Sequence, residues 1–245
     1  MTNKSVDVTM GRLLPGTHFF ENLRKLFDTV EIGTALMNST IIAVVTTLLT
    51  LIISSLAGYG FEIFRSKVTD WVFNILLVSL MIPFAAIMIP LYRMFGNIAH
   101  TMPLIGIDTL AAAILPTATT AFFVFLFRQN AKMFPRELIE AGRIDGMSEL
   151  GIFFRVFVPT MKTTYAAAAI IAFMNSWNNY LWPLVILQSS DKQTIPLLIS
   201  NLGAGYAPDY GVIMTAIVIA TIPTALVFFF MQRHFVAGML GSVKG

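Results

Sequence analysis

Two carboxylates, Glu140 and Asp145, stand five residues apart in a charged stretch and are the first place to look for acid–base chemistry. The same pair also fits ordinary helix ends, as an anion in an early turn and a side-chain cap. A second group is Asn175, Trp177, Asn178, Asn179 and Tyr180. On a helix the three asparagines fall at i, i+3 and i+4 and share one face. Amides beside aromatic rings suit a hydroxyl-rich ligand, and they equally suit interhelical hydrogen bonds with an interfacial aromatic belt. A third group, Gly203, Gly205 and Tyr206, forms a flexible turn with an aromatic tip. His18, His100 and His234 are too scattered for a metal site, nothing matches H-E-x-x-H, and cysteine is absent. No G-x-x-x-x-G-K-[ST] loop is present, so any nucleotide energy must arrive from a partner. The expectation is therefore a chain with no catalytic residues, no metal and no cofactor of its own.

The elements that position these groups are not those of a soluble protein. Hydrophobic residues make up 56% of the 245 and charged residues 12%, with a mean hydropathy of +0.77. A soluble domain carries about a quarter charged residues. Five runs lack Asp, Glu, Lys and Arg altogether: 32–61, 71–92, 109–127, 163–190 and 210–232. Each reaches or approaches the ~20 residues a helix needs to cross the hydrocarbon core. They are apolar all round, unlike the short alternating strands of a barrel. The fold class is all-α, a polytopic membrane helical bundle with crossings at about 36–61, 71–95, 109–127, 164–187 and 211–231. Pro83 and Pro90, Pro116, Pro183 and Pro223 should kink or interrupt four of them.

The net charge of +3 does not form one stripe. Lys and Arg gather in the loop after the first run (Arg65, Lys67), in the long third loop 128–162 (Arg128, Lys132, Arg136, Arg143, Arg155, Lys162) and in the tail 232–245. These segments are expected to be cytoplasmic and the other loops extracytoplasmic. Residues 1–35 then lie outside or at the interface, although no apolar leader precedes them. Either a membrane helix precedes this chain or the segment crosses unaided, helped by its zero net charge.

The stretch FPRELIEAGRIDGMSELGIFFRVFVP, 134–159, reads as two short helices with a tight turn. Pro135 suits the first helical position, Asp145-Gly146 the turn, and Asp145 a cap for a second helix over 147–154 that Pro159 stops. Ile152, Phe153, Val156 and Phe157 give that helix an apolar surface.

Glu140, Ala141, Asp145, Gly146 and Pro159 resemble the EAA signature of ABC importer permeases, E-A-A-x-x-x-G followed by I-x-L-P. Gly142 replaces the second alanine, which should loosen the first helix by up to ~1 kcal/mol. Met147 stands where a small residue is usual. Asn38-Ser39, Ala57-Gly58-Tyr59, the 175–180 segment with Pro183-Leu184, and Gln232 through Gly238 resemble the carbohydrate-uptake branch, nearest to the smaller permease subunit of maltose-type importers.

The resemblance implies a type I permease core whose 140–159 segment couples to an ATPase. It implies three kinds of partner: a second permease subunit, two ATPase subunits that hold ATP and Mg, and an extracytoplasmic binding protein. It also implies a sugar or oligosaccharide as cargo, carried by alternating access across a bacterial or archaeal cell membrane. Asn175, Trp177, Asn178, Asn179 and Tyr180 become pore-lining candidates, and Gly203, Gly205 and Tyr206 a contact for the binding protein. Such permeases normally have six crossings, and the one missing here is the first. The competing reading is a stand-alone secondary transporter or channel. It is weakened by the lack of Asp, Glu or His inside the runs and of evident inverted repeats.

Overall fold

In the computed structural model, residues 10–11, 16–205 and 208–241 are described, those from 233 onward and Met231 by backbone only. The described chain is helical and contains no strand. Helix α1, Phe19–Thr29, is followed by the 32-residue α2, Ile32–Ile63. Then come α3 (Lys67–Met81, its last turn 3-10), α4 (Phe84–Ala99), α5 (Leu110–Thr117), α6 (Ala121–Ala131), α7 (Arg136–Ile144), α8 (Glu149–Thr160) and α9 (Lys162–Trp177). The chain continues through α10 (Leu181–Ile186), α11 (Ile195–Gly203) and α12 (Tyr210–Gly241).

Two helices among the described residues, α2 and the 210–230 part of α12, are each long and apolar enough to cross a membrane. The number rises to five when the bent pairs α3–α4, α5–α6 and α8–α9 are each taken as one crossing.

Three expected crossings therefore do not run as single helices. The one at 71–95 breaks at Ile82-Pro83, where Ile82 is extended (ψ 115°) because a proline disfavours helical geometry in the residue before it. Pro90, by contrast, lies inside continuous helix. The crossing at 109–127 breaks between Thr117 and Ala121, just after a 3-10 turn containing Pro116. The crossing at 164–187 stops at Trp177 and restarts at Leu181, so Pro183 sits in the first turns of a new helix and does not end an old one. Pro223 is carried inside α12.

The chain divides into two compact units, Met1–Ala43 with Met88–Ile114 and Met174–Phe228, and Val44–Ile87 with Leu115–Phe173 and Phe229–Gly245. In the first, Leu26, Ile32, Ala35, Ile195, Leu198, Val212 and Ala216 form the core. Asn38 and Ser39 do more there than open a helix that has already begun at Ile32. The Asn38 amide donates to the carbonyls of Asp191 (2.9 Å) and Gln193 (3.1 Å), and the Ser39 hydroxyl accepts the Ile195 N–H at 2.8 Å. That N–H is one of the unpaired donors at the start of α11. Trp182 donates its indole N–H to the Ala112 carbonyl at 2.9 Å. Trp177 donates its indole N–H to the carbonyl of Ala220 on α12 at 3.0 Å.

In the second unit α2 presents small residues every fourth position, Thr46, Thr50, Ser54 and Gly58, all buried. This permits close helix approach without apolar bulk. Thr50 donates its hydroxyl to the Ala118 carbonyl at 2.7 Å, satisfying a backbone acceptor freed by the break before α6. At Gly58 the backbones are closest: a Cβ would lie 2.6 Å from the Phe127 Cβ and 2.8 Å from the Arg128 nitrogen. Since backbone atoms cannot swing aside, Gly58→Val is expected to cost about 3 kcal/mol. In detergent this should appear as a thermal midpoint lowered by roughly 6 °C or more. Gly60→Val, where nothing lies within 4 Å, is the matched control.

Candidate coupling turn and the flanking polar segment

Helix α7 is amphipathic, burying Ile139 and Gly142 and leaving Glu137, Leu138, Glu140, Ala141 and Arg143 exposed. Pro135 is its cap, extended at ψ 117°, and Arg136 occupies the first helical position. The helix ends in a Schellman motif: the Met147 N–H reaches the Gly142 carbonyl (2.9 Å) and the Gly146 N–H the Arg143 carbonyl (3.1 Å). The motif places residue 146 at φ +75°, a left-handed conformation that costs an ordinary residue ~1–2 kcal/mol. Glycine is therefore required by the backbone. A Cβ on Gly146 would meet nothing within 4 Å, so its open surroundings are a property of the turn's outer face. Gly142 meets Ile152 instead, at 3.0 Å from a would-be Cβ. The glycine that breaks the E-A-A pattern thus lets α7 lie directly on α8.

The second helix starts differently from the expectation. Asp145 is the C-cap of α7 and does not cap α8. Ser148 does, its hydroxyl accepting the Gly151 N–H at 3.2 Å. Nor does Pro159 end the helix. The stretch Phe153–Phe157 widens to a π turn and Pro159 is carried in the short α segment after it. The extra residue moves the 155 carbonyl away from the proline ring that would otherwise strike it. The break falls at Met161, where α9 departs at 82° to α8. Ile152, Phe153 and Phe157 are buried with Tyr59, Ala131, Phe134 and Ile139. Ring centroids lie 4.9 Å apart for Tyr59–Phe157 and 5.3 Å for Phe134–Phe157. Arg143 spans the turn, donating from Nε to Glu149 Oε1 at 2.7 Å. This pair was not read from the sequence, although charges six residues apart across a tight turn are a signal for it. A groove of about 740 Å³ runs along the tip past Asp145, Gly146, Ser148, Leu150 and Phe154, where Ile144 is 86% and Leu150 63% exposed.

Glu140 and Asp145 do not converge on a catalytic constellation: one lies exposed on α7, the other closes its end.

The 175–180 segment departs from a single helical face. Although α9 stops at Trp177, the Asn178 N–H still reaches the Met174 carbonyl at 3.1 Å, so Asn175 and Asn178 keep their i, i+3 relation, and Asn179 lies beyond the helix. Trp177 is 2% exposed, packed as core rather than presented to a pore. Asn175 and Asn178 are exposed, and the Asn178 amide turns back to the Met174 carbonyl at 2.8 Å. The Tyr180 hydroxyl accepts from Ser200 at 3.1 Å. Trp177 and Asn178, with Thr221 and Thr224, border a cleft of about 240 Å³. Gly203 ends α11 and Gly205 follows in a bend. Tyr206 lies outside the described residues.

Asp108, which the sequence did not single out, organises the loops of this unit. It adopts φ 61°, tolerable for a short polar residue, and its Oδ1 accepts the N–H groups of Gln188 (2.8 Å) and Ser189 (3.0 Å). Its Oδ2 takes the Ser189 hydroxyl and the Lys192 ammonium. Burial alone would raise this carboxyl, but the four donors overcome it and hold its pKa down at about 2. Stability from a depressed carboxylate is complete above its unfolded pKa and is lost as pH falls toward the folded value. Asp108→Asn is thus expected to lose about 2 kcal/mol at pH 7. Thermal melting should show the gap from the parent closing between about pH 4 and pH 2.

Residues 50–241 match the model of the family described as binding-protein-dependent transport system inner membrane component. The chain belongs to that family. It is a permease of an ABC importer. Among curated relatives it is 49% identical to the lactose transport system permease protein LacG of Rhizobium radiobacter, over 99% of this chain and 87% of that protein. It is 36% identical to the arabinooligosaccharides transport system permease protein AraQ of Bacillus subtilis, over 94% and 81%. It is 32% identical to the sn-glycerol-3-phosphate transport system permease protein UgpE of Escherichia coli K12, over 95% and 83%. The permease shares its fold with a bacterial ABC transporter for import of the acidic polysaccharide alginate (TM-score 0.82, 20% identity, 96% of this chain and 86% of that one). It also resembles a methionine ABC transporter in inward-facing form (TM-score 0.63, 19% identity, 83% and 94%).

Proposed function

We propose that this permease forms one half of a heterodimeric pore for a sugar or oligosaccharide, driven by two ATPase subunits and supplied by an extracytoplasmic binding protein. The relatives named for lactose and arabinooligosaccharide transport support the choice of cargo. The α7–α8 turn is the element that engages the ATPase, with Glu140, Ala141, Gly142, Asp145, Gly146 and Pro159 building its shape. The observation that carries this reading is the turn itself: a backbone locked by a Schellman motif, with exposed Ile144 and Leu150 beside a glycine whose outer side is open. A rigid apolar tip of this kind is suited to a cleft in another protein.

With that turn facing the cytoplasm, the C-terminus is cytoplasmic and the Asp108 and Gly203–Gly205 loops face outside. Residues 1–35 then belong to the outer or interfacial side, 36–231 to the membrane domain and 232–245 to a cytoplasmic tail. ATP binding closes the ATPase pair, shifts the turn and swings the bundle between inward- and outward-facing states. The chain binds neither ATP nor Mg itself and carries out no covalent chemistry. Asn175, Asn178, Asn179 and Tyr180 line the passage near its outer end; Gly203, Gly205 and Tyr206 meet the binding protein.

The test is to purify the assembled complex in lipid nanodiscs with its binding protein and to screen sugars for stimulation of ATP hydrolysis. A saccharide is expected to stimulate. Stimulation by amino acids alone would reject the cargo, and gradient-driven uptake by this chain without an ATPase would reject the mechanism.

A further inference from the structure

Glu62, at the last turn of α2, is 5% exposed at its side chain and divides its two oxygens between two arginines. Oε2 faces Arg128 Nε of α6 at 3.3 Å, a pair buried on both sides. Oε1 faces Arg136 Nη2 at 3.7 Å, and the Arg136 side chain is 66% exposed. Arg128 continues to Asp70 of α3, which also takes Arg65 at 3.0 Å. The Arg128 guanidinium rests 4.1 Å over the Phe73 ring.

The alternating chain Arg65–Asp70–Arg128–Glu62–Arg136 thus has a buried middle that fixes α2, α3 and α6 together, and one half-solvated end on α7. Stability is a poor reason for it, because apolar residues would serve a buried site as well. Local helix chemistry opposes it too: Arg136 is the first residue of α7, where the helix dipole disfavours a cation. A cleft of about 80 Å³ bordered by Ile63, Arg136, Ile139 and Glu140 leaves α7 room to part from the end of α2.

We infer that Glu62 and Arg136 are positioning residues for energy coupling, a strut through which displacement of α7 is handed to transmembrane helix α2. The strut rests on the reading of α7–α8 as the ATPase-docking turn. A pair this long and this solvated is weak, so its part is to set the register of α7 against α2 and to re-form after each cycle, and the load is shared with the apolar contacts of α7. The remaining contacts of α7, through Ile139 and Gly142, go to the α8 side of the turn and to Phe134, Tyr59 and their neighbours. With the Arg143–Glu149 pair across the turn, they tie α7 to α8, so the Glu62–Arg136 pair is the polar link from α7 to α2.

The chain has no cysteine, so spin labels at Ile53→Cys on α2 and Leu138→Cys on α7 report one distance in the complete complex, without substrate. In the parent this distance is expected to stay constant between the nucleotide-free and ATP–vanadate states. In Arg136→Gln it should change with nucleotide by on the order of 2–5 Å, and Arg136→Lys should restore constancy. An unchanged distance in Arg136→Gln would overturn the strut. A third label at Ile144→Cys, paired with one on the ATPase, separates the two failures. If those two labels are not in proximity in the parent, the docking reading fails. If they are in proximity while Arg136→Gln leaves the α2–α7 distance constant, only the strut fails.

Discussion

Gly146→Val is expected to abolish cargo-stimulated ATP hydrolysis by the complex while the permease still inserts and assembles. The reasoning separates two costs. The first is internal: at φ +75° a β-branched residue is strained by about 1–2 kcal/mol, which frays the end of α7 but leaves the membrane helices untouched. The second is external. Nothing among the described residues stands within 4 Å of a Cβ at this position, so a steric penalty beyond strain points to a partner seated on the turn. Overpacking a fitted surface costs ~1–3 kcal/mol, and added to the strain this is a loss of well over tenfold in productive docking. Gly146→Asp carries the smaller strain, since Asp tolerates the left-handed region better. It should lose coupling nonetheless through the bulk and charge placed at the tip. Normal stimulated hydrolysis in both variants would mean that the turn's outer face meets nothing.

The second large effect is on stability. Arg128→Met is expected to destabilise the permease by about 3–5 kcal/mol, because it leaves Glu62 charged, buried and unpaired on its inner side. Arg136, at 3.7 Å and largely solvated, offsets little of that. Adding Glu62→Gln to Arg128→Met should recover more than half of the loss, since the isolated charge is then gone. Thermal melting in detergent would read this as a midpoint lowered by on the order of 10 °C in the single variant. A double variant as unstable as the single one would show that the loss comes from packing against Phe73 rather than from the charge.

Both effects involve residues that were only partly legible in the sequence. The turn was legible because glycine after a helix, proline before it and an apolar run beyond it are local signals. Its details were not. Ser148 and Asp145 are both good caps, and only the Schellman hydrogen bonds decide which of them closes α7 and which opens α8. Glu62 and Arg128 read as solvated charges flanking uncharged runs. That they are buried against each other, 66 positions apart, depends on α2 and α6 meeting at Gly58. Composition marked the apolar runs but could not show where they break. The breaks at Pro83, before Ala121 and after Trp177 depend on whether a neighbour satisfies the freed backbone groups, as Thr50 does for Ala118. Pro90 and Pro223, of the same residue type, stay within helices. Asp108 gave no local signal because its four donors come from residues some 80 positions later.

The most direct test of the central claim uses Ile144→Cys, a unique thiol at the 86% exposed tip of the turn. With the complete transporter in its membrane, a short bifunctional maleimide is applied to permease and single-cysteine ATPase variants. The expected result is a permease–ATPase adduct whose yield changes when ATP and vanadate are added. Labelling of the thiol by a membrane-impermeant reagent from outside intact cells, with no adduct to any ATPase, would contradict the assignment of this turn.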